Sequence, residues 1–508
     1  MIPAPRRGWC PGLARPMPTG DGLLVRLHPP GGVLGAAQLR AVAAAARAGG
    51  NGLVDVTARA NLQIRGVTPE SHAGLLAPLM AAGLGDRRHD GGPQRLTLSG
   101  PAHAALANAV EAAGLAVPGL PAKALVAIEG PDLGLADTEA DLRLRVGSGG
   151  LWFGLATATG VAWHRAAALE PALTVLLRGL AASGARRMRG LDPERRDALV
   201  AAAGLTLGEP PLAGPGLVPG LHAANPAQVQ GWLEERWGAP PLSRVGEGPG
   251  DRRSRVRVET VPNKAPKVEL RGSTVGTLIG TRATLARSSI APTPLPLGRG
   301  DPALDSRREF PRKALPSAER SEPAPSWSPS TPLLVAEFPF GRCDAALLDR
   351  LAGWSERHGD GRAWLTPWRG VVLAARDAGH ADRLLAEAGA AGLIVSGSDP
   401  RRAVAACPGA PACGSGAVPA QADAHRLAAA LAGAGGGVRV HVSGCPKGCA
   451  HPGAADLTLV GLPGGAYGVV PGGAAGDPPA RVLSFEDVLE RLHSAEPDDW
   501  SGRFREPA

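Results

Sequence analysis

Four of the six cysteines lie in two pairs near the C-terminus, and they constrain this chain more than any other feature. Cys407 and Cys413 form a C-x5-C pair, Cys445 and Cys449 a C-x3-C pair, with 31 residues between the two. Both pairs are embedded in glycine and proline. Glycine lets backbone N–H groups approach a bulky inorganic core, and proline fixes the chain so that thiolates converge. Four thiolates are what a [4Fe-4S] cluster requires, and nearby N–H donors tune its potential. Structural zinc is the competing reading. Its usual pairs are C-x2–4-C, and the wide first pair argues against it. Nothing suggests a secreted disulfide framework.

The remaining chain is organised as a repeat. Residues 23–28 (LLVRLH) read as a strand, 35–48 as an Ala-rich helix, 52–57 and 61–65 as strands, and 68–83 as a second helix. This βαββα order predicts a ferredoxin-like half-domain. The Leu-Leu-Val at 23–25 recurs at 333–335, and Arg59 and Arg369 each follow the first leucine of its run by 36 residues. Each arginine follows a threonine at a strand end, and each segment closes on an Ala-Gly-Leu, at 82–84 and 391–393. Shared order and spacing argue for duplication. The expected fold is α+β, with two ferredoxin-like half-domains each followed by an α/β domain. The divisions are 1–86 and 87–205 for the first half, 331–395 and 396–508 for the second. Residues 206–330, rich in Pro, Gly, Arg and Ser, read as a largely disordered linker with one short helix at 227–236.

The formal net charge of +8 suggests nucleic acid only until it is located. Residues 251–320 hold 15 basic and 7 acidic residues, leaving 39 of each elsewhere. No nucleic-acid motif accompanies that segment, so no nucleic-acid partner is expected. The N-terminus lacks the apolar core of a secretory signal, and no run of 18 apolar residues offers a membrane span. Six cysteines in a chain of this length fit a reducing compartment, and a cytoplasmic protein is expected.

A second candidate site is basic. In TARANLQIRG, Arg59, Gln63 and Arg65 alternate, so a strand shows them on one face. That is either a solvated face or a row of donors for carboxylates, for which the planar fork of arginine is suited. Cys10, in GWCPG, is a lone cysteine and reads as a packed residue.

The cysteine spacing resembles that of the siroheme nitrite/sulfite reductase superfamily. HVSGCPKGCAHP (441–452), RPMPTGDGLLVRL (15–27), NGLVDVTARANLQIRG (51–66) and LTPWRGVVLA (365–374) further resemble precorrin-3B synthases. The resemblance implies a [4Fe-4S] cluster on Cys407, Cys413, Cys445 and Cys449, with Cys449 where the reductases bridge to siroheme. In precorrin-3B synthases the cluster is accompanied by a mononuclear non-haem iron instead. His441 and His451 are its positional candidates, neither assigned. The resemblance also matches Arg59, Arg95 and Lys123 to residues that hold siroheme carboxylates, while Leu125 replaces a second lysine. Arg369 joins this set as the repeat counterpart of Arg59. The implied activity is O2-dependent hydroxylation of precorrin-3A at C20 with γ-lactone formation. NADH would supply electrons, directly or through a reductase or ferredoxin, although no dinucleotide-binding glycine motif is present. The alternatives are a siroheme nitrite or sulfite reductase and a non-catalytic iron–sulfur electron carrier.

Overall fold

The computed structural model describes residues 10–210 apart from 101–102, 131–134, 136–137 and 148–149. It also describes 220–223, 331–493 apart from 433–437, and Phe504. The described residues lie in one compact unit, Met1–Pro240 with Pro323–Ala508. The predicted helix at 227–236 and most of the predicted linker lie outside the described residues.

The predicted βαββα segments form in both halves, but each half lends a strand to the other. The first sheet has the order Met17–Thr19, Gly22–Leu27, Leu62–Val67, Leu53–Val56 and then Arg342–Asp344 from the second half. The second sheet runs Gly220–Ala223, Pro332–Glu337, Gly370–Ala374, Arg362–Leu365 and then Val33–Gly35 from the first half. The exchange is reciprocal to the hydrogen bond. Ala36 N donates to Gly361 O and Ala345 N donates to Gly52 O, each at 2.9 Å. Helices Ala36–Gly49 and Ala345–His358 follow the exchanged strands and bury their apolar faces in one shared core. Alanines on that face (Ala43, Ala46 and Ala352) let the two backbones come close. The ion pairs Arg40–Glu356 and Arg47–Asp349 flank the helix contact. Cys343, on the exchanged strand, is buried in this core, and burial pushes its thiol pKa up.

The α/β parts repeat as well. The first joins Thr97–Ser99, Val126–Glu129 and Leu142–Gly147 in parallel, then continues antiparallel through Gly150–Ala156, Val161–Ala166 and Thr206–Leu207. The second joins Val404–Ala406, Val440–Ser443 and Leu457–Gly461 in parallel before Tyr467–Pro471 and Arg481–Leu483. Each places a helix, Ala104–Leu115 or Ala420–Ala430, between its first two strands. One boundary is corrected. Thr206–Leu207 and Gly220–Ala223, inside the predicted linker, are edge strands of folded sheets. They are too short to show periodicity, and edge pairing with Val161–Ala166 and Pro332–Glu337 holds them. No helix among the described residues is long and apolar enough to cross a membrane.

Candidate functional site

The two cysteine pairs leave the C-terminal ends of neighbouring parallel strands, where loops of an α/β sheet gather functional groups. Cys407 follows Val404–Ala406 and Cys445 closely follows Val440–Ser443, with Ala406 in register with Val442. The loops clasp each other: Ala417 N donates to Gly444 O at 2.8 Å and Lys447 Nζ to Ser415 Oγ at 2.9 Å. Gly444 N donates to Cys407 Sγ at 3.1 Å, the N–H to sulfur contact expected around an iron–sulfur core. A Cβ on Gly444 would lie 3.0 Å from Gly409 Cα and 3.3 Å from Gly416 Cα, so glycine is what brings the loops together. Gly409 has φ 64°, and a Cβ there would meet Ala420 N at 2.4 Å.

The four thiols feel one another. Burial raises the pKa of Cys407 most, with Cys413 and Cys445 adding to it and the N–H groups of Gly444 and Gly409 opposing. Burial also raises that of Cys449, followed by Cys407, Cys445 and Cys413. Thiols that obstruct each other's ionisation gain when a cationic core binds them as thiolates. Donor chemistry and glycine cradle both fit a [4Fe-4S] cluster. Among the described residues no group of three or more His, Cys, Asp or Glu side chains is set to hold a single metal ion. His441 is fully buried, with neither ring nitrogen partnered, and its ring centroid lies 5.8 Å from that of His451. Burial, then His451 and Arg369, push His441 down to about 4.

The second group of candidates lies on the open face of the first sheet. Arg26, Gln63, Asp55 and Arg342 stand side by side in register across four strands. The equivalent row in the second sheet is Val335, Val372, Trp364 and Val33, which pack with Ala104 and Trp368 as an apolar cluster. Duplication has thus left one polar face and one apolar face.

The predicted substrate residues divide on this face. Gln63, with its amide oriented to accept, takes both Nη2 and Nε of Arg26, at 2.5 and 2.9 Å. Arg65 is buried and pairs with Asp21 at 2.8 Å and Asp55 at 3.6 Å, and it also donates to the carbonyl of Ala412 in the first cysteine loop. Two carboxylates and the loop carbonyl thus already occupy the fork of Arg65. Arg95, also buried, donates to Pro29 O at 3.3 Å, Ala60 O at 3.1 Å and Arg59 O. It fixes the backbone of the 57–60 turn, and burial foremost lowers its pKa to about 10. Arg59 is half-buried at that turn, with Nη2 donating to Lys123 O at 2.7 Å. Lys123 itself is exposed. Burial first, then Arg187, lowers the pKa of Arg59.

Arg369 lies in the other turn, with φ 63° and Nη2 donating to Ala450 O at 3.2 Å beside Cys449. It is not the counterpart of Arg59. Ala60 N donates to Thr57 O and Arg369 N to Thr366 O, so Arg369 matches Ala60 and Arg59 matches Trp368. Matching identical Leu-Leu-Val runs shifts the repeat by one residue. Sequence reasoning also missed Arg26, His28, Asp55 and Arg342. The only signal was charge inside otherwise apolar strands.

The duplicated sheets and the paired cysteine loops define the class. The chain matches the nitrite/sulfite reductase ferredoxin-like half domain at residues 15–82 and again at 334–391, a pattern that fits the nitrite/sulfite reductase superfamily. Its fold is similar to that of the NirA protein of Mycobacterium tuberculosis, with TM-score 0.53 and 17% identity over 93% of this chain and 79% of that one. Within the class, the chain is similar to a precorrin-3B synthase from Sinorhizobium sp, at 28% identity over 94% of this chain and 85% of that protein.

Proposed function

We propose that the protein is a precorrin-3B synthase, an oxidoreductase that hydroxylates precorrin-3A at C20 using O2 and forms its γ-lactone. The relative that spans nearly the whole chain carries that name rather than a reductase's. The geometric observation that supports it is a set of uncompensated cations. Among the described residues, Arg26, Arg59 and Arg95 make no ion pair, and each donates only to an uncharged oxygen. Arg65, Arg88, Arg342 and Arg402 are each matched by a carboxylate. Guanidiniums that burial holds below their ordinary pKa, with no carboxylate in direct contact, favour an anionic ligand, and a tetrapyrrole fringed with acetates and propionates supplies one.

Cys407, Cys413, Cys445 and Cys449 would hold a [4Fe-4S] cluster, which would supply one-electron transfer. Arg59 and Arg26 orient the substrate through its carboxylates, while Arg95 keeps the Arg59 turn rigid. Arg369 ties the second half-domain to the Cys449 loop beside the site. Among the described residues no His, Cys, Asp or Glu group is set to hold a mononuclear iron. Electrons come from NADH, directly or through a reductase or ferredoxin. None of the six cysteines is paired in a disulfide, in keeping with a cytoplasmic enzyme.

The test is anaerobic purification with iron, sulfide and tetrapyrrole analysis, followed by incubation with precorrin-3A, O2 and a reductant. The expected result is a four-iron cluster, no bound haem, and a product that has gained one oxygen atom. Intense haem bands with sulfite or nitrite reduction would overturn it in favour of a reductase.

A further inference from the structure

Close enough to feel Arg26, Arg59 and Arg95 lies a histidine that neither the chemistry above nor the sequence motifs use. His28 follows the strand Gly22–Leu27, two residues after Arg26 and so on the same polar face. Its neighbour Pro29 is held by Arg95. Its Nδ1 is buried and has no partner. Asn61, which ends the Arg59 turn, is itself buried, and its Oδ1 likewise has none. Arg26 faces Gln63 in register, and continuing that antiparallel register sets His28 opposite Asn61. Burial, then Arg26, Arg95 and Arg59, holds the His28 pKa well below its ordinary value, so the imidazole is neutral. The other half shows what a purely structural solution looks like. There Glu337 takes the equivalent position and is closed off by Arg402, at 3.1 Å from both carboxylate oxygens.

Buried polar atoms are almost always partnered, yet two here, on residues opposite each other in register, have none. We propose that His28 and Asn61 form an uncharged hydrogen-bonding pair, set inside the three guanidiniums, that reads the macrocycle of a polycarboxylate tetrapyrrole rather than its carboxylates. This rests on the proposed function and deepens it. The guanidiniums supply attraction for any polyanion, while the neutral pair bonds a pyrrole N–H or a ring nitrogen. It thereby distinguishes a tetrapyrrole from other carboxylate-rich molecules.

The experiment is an absorption titration of the full-length, cluster-loaded protein. The probes are sirohydrochlorin, an iron-free tetrapyrrole octacarboxylate, and mellitate, a benzene hexacarboxylate read by its displacement of sirohydrochlorin. His28→Leu and Asn61→Leu should each weaken sirohydrochlorin about tenfold or more, with the mellitate constant unchanged within about twofold. His28→Gln, which keeps a neutral donor and acceptor, should stay near the parent. Arg59→Ala should weaken both ligands. Thermal melting should be unchanged or raised in the leucine variants, because they remove unpaired buried groups. Parent-like binding of sirohydrochlorin by His28→Leu overturns the pair, as does an equal loss for both ligands. A parent protein that binds no tetrapyrrole overturns the proposed function as well.

Discussion

At the scale of single residues, the arginines differ by what already occupies them. Arg65 and Arg59 lie six residues apart in one motif and read alike in sequence. Arg65 is 2% exposed and fixed by Asp21, Asp55 and the Ala412 carbonyl. Removing one partner of a buried ionic network leaves an uncompensated charge, at a cost of about 3 kcal/mol or more. Arg65→Ala should therefore lower the denaturation midpoint and reduce iron and sulfide retention, since the Cys413 loop loses its brace. Normal stability with a selective loss of ligand affinity would return Arg65 to the binding set. The division could not be read from sequence because the partners, Asp21 and Ala412, are distant in the chain and meet Arg65 only in the folded sheet.

At the scale of elements, register decides which side chains face the site. The duplication is legible in sequence, but the identical Leu-Leu-Val runs place it one residue out. In a strand a one-residue slip exchanges the two faces. The true register sets Val335 opposite Val372 where Arg26 meets Gln63, and this shows one polar face and one apolar face. The cysteine loops are more fully legible, since glycine and proline write their conformation into the sequence. Gly409→Ala tests that element. The substitution combines a left-handed φ with a 2.4 Å clash against backbone, so the loop must shift. Cluster content, measured as iron and sulfide per chain, should fall severalfold while the half-domain sheets remain. Full cluster occupancy in this variant would show that the cradle is not what positions Cys407 and Cys413.

At the scale of the whole molecule, the strand exchange makes the two halves interdependent. Residues 1–210 expressed alone would leave Leu53–Val56 without Arg342–Asp344 as its neighbour, and would expose the helix face that Ala345–His358 covers. Each half alone should be insoluble, and co-expression of 1–225 with 326–508 should restore a soluble complex. Soluble, monomeric halves by size-exclusion chromatography would argue against the exchange. Deleting residues 245–325, which keeps the Gly220–Ala223 edge strand, should leave melting temperature and cluster content unchanged. A drop in either would show that the basic, Pro-rich segment supports the fold. Spacing, periodicity and glycine content are local properties, so the paired cysteine motifs, the duplicated α+β plan and the basic strand can be read along the chain. The exchanged strands, the one-residue register, the edge strands inside the linker, and which arginines have no carboxylate in contact emerge only in the folded chain. Those depend on partners brought together from tens to hundreds of residues apart, and no local pattern encodes them.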